Sequence, residues 1–169
     1  MTIGVISDTH GNSRLMHQSV DCMVDVHGVE VLFHAGDDYQ DAEALAMSGR
    51  TVYMVPGLGC PQYRDPRVPN RIRHNVDGLT ISMAHADKDL RALELAASVV
   101  ITGHTHVARI DHLGRSIHLN PGHLKCPVDR GERASFAIIE TGGFGVSVAV
   151  YELTGKPRRE IRVPRSALA

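Results

Sequence analysis

The chain is poor in the features that mark special classes. It has three cysteines, Cys22, Cys60 and Cys126, odd in number, widely spaced and without a Cys-x-x-Cys. That argues against a disulfide framework and for free thiols in a reducing compartment. No apolar run approaches the length needed to cross a bilayer. No charged segment followed by an apolar one precedes the first strand at Thr2-Ile3, so a cytoplasmic protein with no membrane partner is expected. Basic runs are short, none longer than Pro157-Arg158-Arg159, and 18 Lys and Arg against 19 Asp and Glu give a formal net charge of −1. A general nucleic-acid-binding surface, and with it a nuclease, is therefore not expected. With 43% apolar and 22% charged residues, disordered and fibrous classes drop out. A chain of 169 residues then reads as one domain, residues 1–169.

The first half alternates strand and helix. Ile3 to Ser7, Val29 to His34 and Thr51 to Val55 are short apolar runs bounded by polar turns, as buried strands are. Between them, Arg14 to Val26 places Leu15, Met16, Val20, Met23 and Val24 on one helical side, and Asp41 to Met47 reads as a short helix. Pro56 to Pro69, rich in proline, is a surface loop of the kind that carries function. Arg71 to Val76 and Leu79 to Ala84 flank Asp77-Gly78, a hairpin signal. Lys88 to Ala97 reads as helix and Ser98 to Thr102 as another buried strand. Beyond Val107 the pattern is all strand: Val107 to Asp111, Ser116 to Leu119, Ser135 to Glu140 and Gly145 to Leu153. Pro157 to Ala169 reads as a loosely ordered tail. The fold class this predicts is α/β: two mixed sheets packed face to face with helices outside, a four-layer α-β-β-α sandwich.

Histidine is the one outlier in composition, at 11 residues. His17, His27, His74, His112 and His118 sit in contexts that ask for no special role. The informative ones close strands. Asp8 and His10, spaced i and i+2 after the first strand, would in extended backbone point to one face. Asn12 or Ser13 can cap the following helix, and Asn12 is also a candidate substrate contact. Asp37 follows Gly36 at the end of the second strand, where a carboxylate can bridge two cations. Asp38 reads as a solvated acid and His34 as a core or supporting residue. Gly103-His104-Thr105-His106 repeats the i, i+2 spacing with two imidazoles, an expensive pair to bury without a shared ligand. His85 closes another strand. Asp8, His10, Asp37, His85, His104 and His106 together can hold two divalent first-row metals, and such a pair hydrolyses phosphate esters.

In order and in combination, Asp8-Thr9-His10, Gly36-Asp37, His85 and Gly103-His104-Thr105-His106 resemble the calcineurin-like metallophosphoesterase superfamily. The short length, His34-Ala35-Gly36-Asp37 and Asn120-Pro121-Gly122 resemble its small phosphodiesterase branch, which also holds the metallophosphoesterase-like subunit of the retromer complex. The resemblance implies one metal on Asp8, His10, Asp37 and His106. It implies a second on Asp37, His85, His104 and an asparagine from a Gly-Asn motif. A deprotonated water bridging the metals would attack phosphorus in line. Manganese, iron, nickel or zinc would suit such ligands. The implied partner is a small phosphate ester, and because family members are often dimers or larger, a homo-oligomer is also an expectation.

Here the sequence departs from the family. Leu58 follows Gly57 where the asparagine would stand, and leucine cannot coordinate a metal. The second metal would then bind more weakly, or Cys60 would replace the amide and favour zinc, or the site would survive only as a scaffold for protein interaction. His123, after Asn-Pro-Gly, is a further candidate substrate contact, read first as a surface histidine. No histidine follows Leu58 to act as an acid, so leaving groups needing little protonation are expected. His10 argues against the scaffold, since the resemblance implies that the retromer-type subunit lacks a histidine there.

Overall fold

The computed structural model describes residues 1–143 and 145–169. Two sheets face each other. The six-stranded sheet runs β13-β12-β11-β1-β2-β3, with β1 at Thr2–Ile6, β2 at Val31–His34, β3 at Val52–Met54, β11 at Ser135–Gly142, β12 at Gly145–Glu152 and β13 at Pro157–Pro164. The five-stranded sheet runs β4-β5-β6-β8-β7, with β4 at Arg71–Val76, β5 at Leu79–Ala84, β6 at Val99–Ile101, β7 at Arg109–Leu113 and β8 at Ser116–Asn120. A separate ribbon joins β9 (Val128–Asp129) to β10 (Glu132–Arg133).

The alternation of side chains along the strands explains the layering. Ile3 and Val5 of β1, Phe33 of β2 and Ile139 of β11 point into the space between the sheets, where Ile81, Met83, Val99, Ile101, Ile117 and Leu119 meet them from the other side. Each such side chain contributes roughly 1.5–3 kcal/mol when fully buried. The opposite face of the first sheet, with Ile6, Leu32, Phe136 and Ile138, is covered by helix α1 (Ser13–His27) through Leu15, Met16, Val20 and Met23, and by Leu45 of α2 (Tyr39–Met47). The outer face of the second sheet carries only a small cluster of Ala84, Leu90, Ala97 and Val100. The expected two-sheet sandwich is therefore present, with most of its helix on one side. Among the described residues, no helix is long and apolar enough to cross a membrane.

Three expectations change. Lys88 to Ala97 is not one helix: a 3-10 turn at Asp87–Asp89 precedes a single-turn α3 at Ala92–Leu95. Leu90 breaks it by entering the outer cluster in extended backbone. The strand expected from Val107 starts at Arg109, because His106 is in the left-handed region at φ 64°. The expected loose tail is β13, paired along β12 from Gly145↔Pro164 to Tyr151↔Pro157. As an edge strand with mostly exposed side chains it carries little hydrophobic pattern. The Asp77-Gly78 hairpin forms as expected, with φ 50° and 74° at its two turn residues.

The two sheets present one common edge. β1, β2 and β3 are parallel to each other, as are β5 and β6. The loops leaving their carboxyl ends carry Asp8 and His10, Asp37, Leu58 and Cys60, His85, and His104 and His106.

Candidate metal centre

At that edge Asp8, His10, Asp37 and His106 each bring one donor atom within 4.8 Å of the others. His10 Nε2 lies 3.2 Å from Asp37 Oδ2 and 3.1 Å from His106 Nε2, and His106 Nε2 lies 3.4 Å from Asp8 Oδ1. On the far side of the same carboxylate, His85 Nε2 is 3.3 Å from Asp37 Oδ1, and the His85 and His104 rings sit 5.1 Å apart between centroids. All six expected residues thus converge, with Asp37 between the two groups.

The six residues come together by a geometry other than the extended one that the spacing implied. Asp8, His10, His104 and His106 are not extended: their φ angles are 53°, 48°, 67° and 64°. Left-handed backbone costs a residue with a Cβ about 1–3 kcal/mol, and such strain gathers at functional sites. Two tight glycine contacts hold the loops together. A Cβ on Gly57 would collide with the Asp37 carboxylate, and one on Gly103 with Ser7 Oγ and the Asp8 carboxylate. Asp8 is fully buried, and its carboxylate accepts from Ser7 Oγ (2.5 Å) and the His104 N–H (3.0 Å). Burial pushes the Asp8 carboxyl above its ordinary value, against the lowering effects of the Ser7 hydroxyl, His85 and His106.

The ring nitrogens supply a test of what belongs here. His85 Nδ1 is 2.8 Å from the Ala35 carbonyl, so this nitrogen carries the proton and Nε2 keeps a bare lone pair. That Nε2 is buried without a hydrogen-bond partner. His106 repeats the pattern: Nδ1 lies 2.6 Å from Asp129 Oδ2, leaving Nε2 a lone pair aimed at the cluster. The imidazole lone pairs of His85 and His106 converge with the carboxylates of Asp8 and Asp37, a donor set that fits a divalent metal.

Asp129 is the residue that the sequence reading missed. It stands on β9, and Arg130-Gly131, at φ 52° and 86°, turns the ribbon back into β10. The contact with His106 holds its carboxyl down at about 2, and Lys125 Nζ lies 3.3 Å from its other oxygen. Asp129 followed by Arg-Gly was a turn signal, yet nothing local tied it to His106.

The lesser candidates fare differently. Asn12 serves structure: its Oδ1 accepts from the Leu15 N–H (3.2 Å) and its Nδ2 donates to the Lys125 carbonyl (2.9 Å), which ties the start of α1 to the Lys125 loop. His123 is not a surface histidine. It is fully buried behind His106, ring centroids 5.3 Å apart, and burial lowers its pKa, so it backs a candidate ligand. His34 is buried as expected, its pKa pushed down to about 4 by that burial. Cys60 lies outside the four-donor cluster, on the wall of a cleft of ≈ 460 Å³ whose lining includes His10, Asp37, Leu58 and His104.

Residues 1–143 match the calcineurin-like phosphoesterase superfamily domain. A probable metallophosphoesterase of Methanothermobacter thermautotrophicus is 30% identical over 167 residues, covering 84% of this chain and 94% of the relative. Among solved structures, the E. coli phosphoesterase YfcE superposes with a TM-score of 0.74 at 18% identity, covering 95% of this chain and 98% of that one. Vps29 of Entamoeba histolytica superposes with a TM-score of 0.70 at 16% identity, covering 96% and 99%. At these identities the two structures speak for the fold.

Proposed function

This chain belongs to the calcineurin-like phosphoesterase superfamily, and from that we propose that it is a divalent-metal-dependent phosphodiesterase acting at the Asp37 cluster. The position of Asp37 carries the reading: Oδ2 faces His10 and Oδ1 faces His85, one carboxylate oxygen for each of two adjacent sites. Asp8, His10, Asp37 and His106 would hold one ion, and Asp37, His85 and His104 the other. Manganese, iron, nickel and zinc all suit imidazole and carboxylate donors. Bound there, a metal pair supplies Lewis-acid stabilisation of charge on phosphorus and makes water nucleophilic at neutral pH. Leu58 leaves the second set with three protein donors, the number that catalytic sites keep when one position is open to water or substrate.

The chain's own residues set the rest. His85 and His106 are locked by Ala35 and Asp129 in the tautomer that presents Nε2. Asp8 is kept dry and oriented by Ser7 and the His104 amide. Among the described residues, neither lysine nor arginine lines the cleft. A phosphomonoester dianion would be left with little side-chain neutralisation beyond the metal site, whereas a diester carries one charge, and that favours diesters. The absence of a histidine acid after Leu58 favours leaving groups that depart without a proton.

The test is manganese-dependent hydrolysis of a chromogenic aryl phosphodiester by the parent and by Asp37→Ala. Activity abolished by the substitution supports the proposal. An inactive parent with manganese, nickel and zinc each supplied would refute it and favour the second reading that Leu58 raises, a metallophosphoesterase fold kept as a protein scaffold.

A further inference from the structure

Leu58 replaces an amide with an alkyl group, and its surroundings suggest what the alkyl group is for. Beside the metal cleft lies a second cavity of ≈ 220 Å³, lined by Leu58, Ala86, Asp87, Lys88, His104 and Thr105. Leu58 and His104 belong to both cavities and form their common wall. A phosphate held against Asp37 and His104 therefore has a direct path for one substituent across Leu58.

The second cavity has an apolar wall and a cationic rim. Leu58 and Ala86 supply an apolar surface, and Ala86 is anchored directly after the buried His85. Lys88 stands at the rim on the 3-10 turn Asp87–Asp89, with its Nζ 5.7 Å from the centre of the Tyr63 ring. The Tyr63 hydroxyl donates to Asp89 Oδ1 at 2.8 Å, which ties that ring to the same turn. Among the described residues, Lys88 is in no ion pair. An ammonium group already held near one aromatic face can serve a second. Asp87 also lines this cavity.

We propose that Leu58, Ala86 and Lys88 form a substituent subsite for a planar aromatic group, so that the substrate class is a phosphodiester bearing an aryl ring or a nucleobase on one ester oxygen. This rests on the phosphodiesterase reading for the placement of the phosphate, but the subsite can be measured without turnover. Leu58 gives up coordination at the second metal and gains recognition of the substituent.

The experiment is calorimetric binding of diphenyl phosphate and dimethyl phosphate to the manganese-loaded parent, to Leu58→Asn and to Lys88→Ala. Partial burial of one phenyl ring predicts that the parent binds the diphenyl anion about tenfold more tightly than the dimethyl one. In Leu58→Asn that ratio falls to about three, the share that Lys88 keeps, whatever the new amide does to metal affinity, because both anions share the metals. Lys88→Ala, at an exposed position, lowers the ratio by about threefold and keeps the test decisive should Leu58→Asn fail to fold. Equal binding of the two anions to the parent, binding of neither, or a ratio that both variants leave unchanged overturns the subsite. A parent that prefers diphenyl phosphate yet hydrolyses no diester keeps the subsite and removes the hydrolase. A parent that hydrolyses an aryl phosphodiester yet binds diphenyl and dimethyl phosphate equally keeps the hydrolase and removes the subsite.

Discussion

Replacing Asp129 with alanine perturbs the metal centre without touching a proposed ligand. The His106 side chain is 8% exposed, its Nδ1–H has Asp129 Oδ2 as acceptor at 2.6 Å, and its other nitrogen faces Asp8 and His10. Removing the carboxylate frees the proton to move to Nε2, which blocks the lone pair the cluster needs and lets the ring turn. Loss of such an outer partner costs about 10–100-fold in metal affinity. The upper end is expected, because the bond is short and charge-assisted. Asp129→Asn keeps an acceptor oxygen but not the charge, so its loss should be smaller than that of Asp129→Ala. Titration of the metal-free proteins with manganese or zinc reads the affinity directly, and long-range proton–nitrogen NMR of the imidazoles reads the His106 tautomer. Circular dichroism should show the fold intact, since β9 and β10 form a ribbon outside both main sheets. Affinities within twofold of the parent, or an unchanged Nδ1–H tautomer in Asp129→Ala, would refute the reasoning.

Two other outcomes follow from the same geometry. Gly57→Ala places a Cβ against the Asp37 carboxylate; displacing that group by an ångström should lower phosphodiesterase turnover about a hundredfold, measured on folded protein, and near-parental turnover would contradict the contact. At the far end of the molecule, the Asp77 carboxyl is held below its ordinary 3.8 by the Thr141 hydroxyl first, then by Arg165 and the N-terminal ammonium. A lowered folded-state pKa stabilises the fold above pH 3.8 and is lost as pH falls through that lowered value. Asn at position 77 also tolerates the turn conformation. Asp77→Asn should therefore melt below the parent at neutral pH, and the two melting temperatures should converge in acid; a pH-independent gap would show that the carboxyl charge is not involved.

How much of this was legible beforehand depended on the range of the interaction. Ile3, Val5, Phe33 and Ile101 announce buried strands through their immediate neighbours, because the pleat puts alternate residues on opposite faces. Asp8 with His10, and His104 with His106, are local pairs, and strand-ending loops on one sheet edge are where an α/β fold gathers ligands. So the sandwich and the convergence of six side chains could be read from the chain, even though the backbone at four of them is left-handed rather than extended. What lay beyond reach has few local marks. β13 is an edge strand whose partner supplies its order and whose own side chains are mostly exposed. The segment after His85 reads as helix until Leu90 finds the apolar cluster on the outer sheet face.

By itself the sequence determined the strand and helix alternation, the two-sheet class and the six candidate ligands, because each depends on periodicity or spacing within a few residues. Tertiary structure alone decided that Asp129 holds His106 from 23 positions away, that His123 lies buried behind it, and that Asn12 is occupied by α1 and Lys125. It also decided that Leu58 separates two cavities. A hydrogen bond or a cavity wall depends on which surfaces meet once the core has closed, and a chain carries no local record of that.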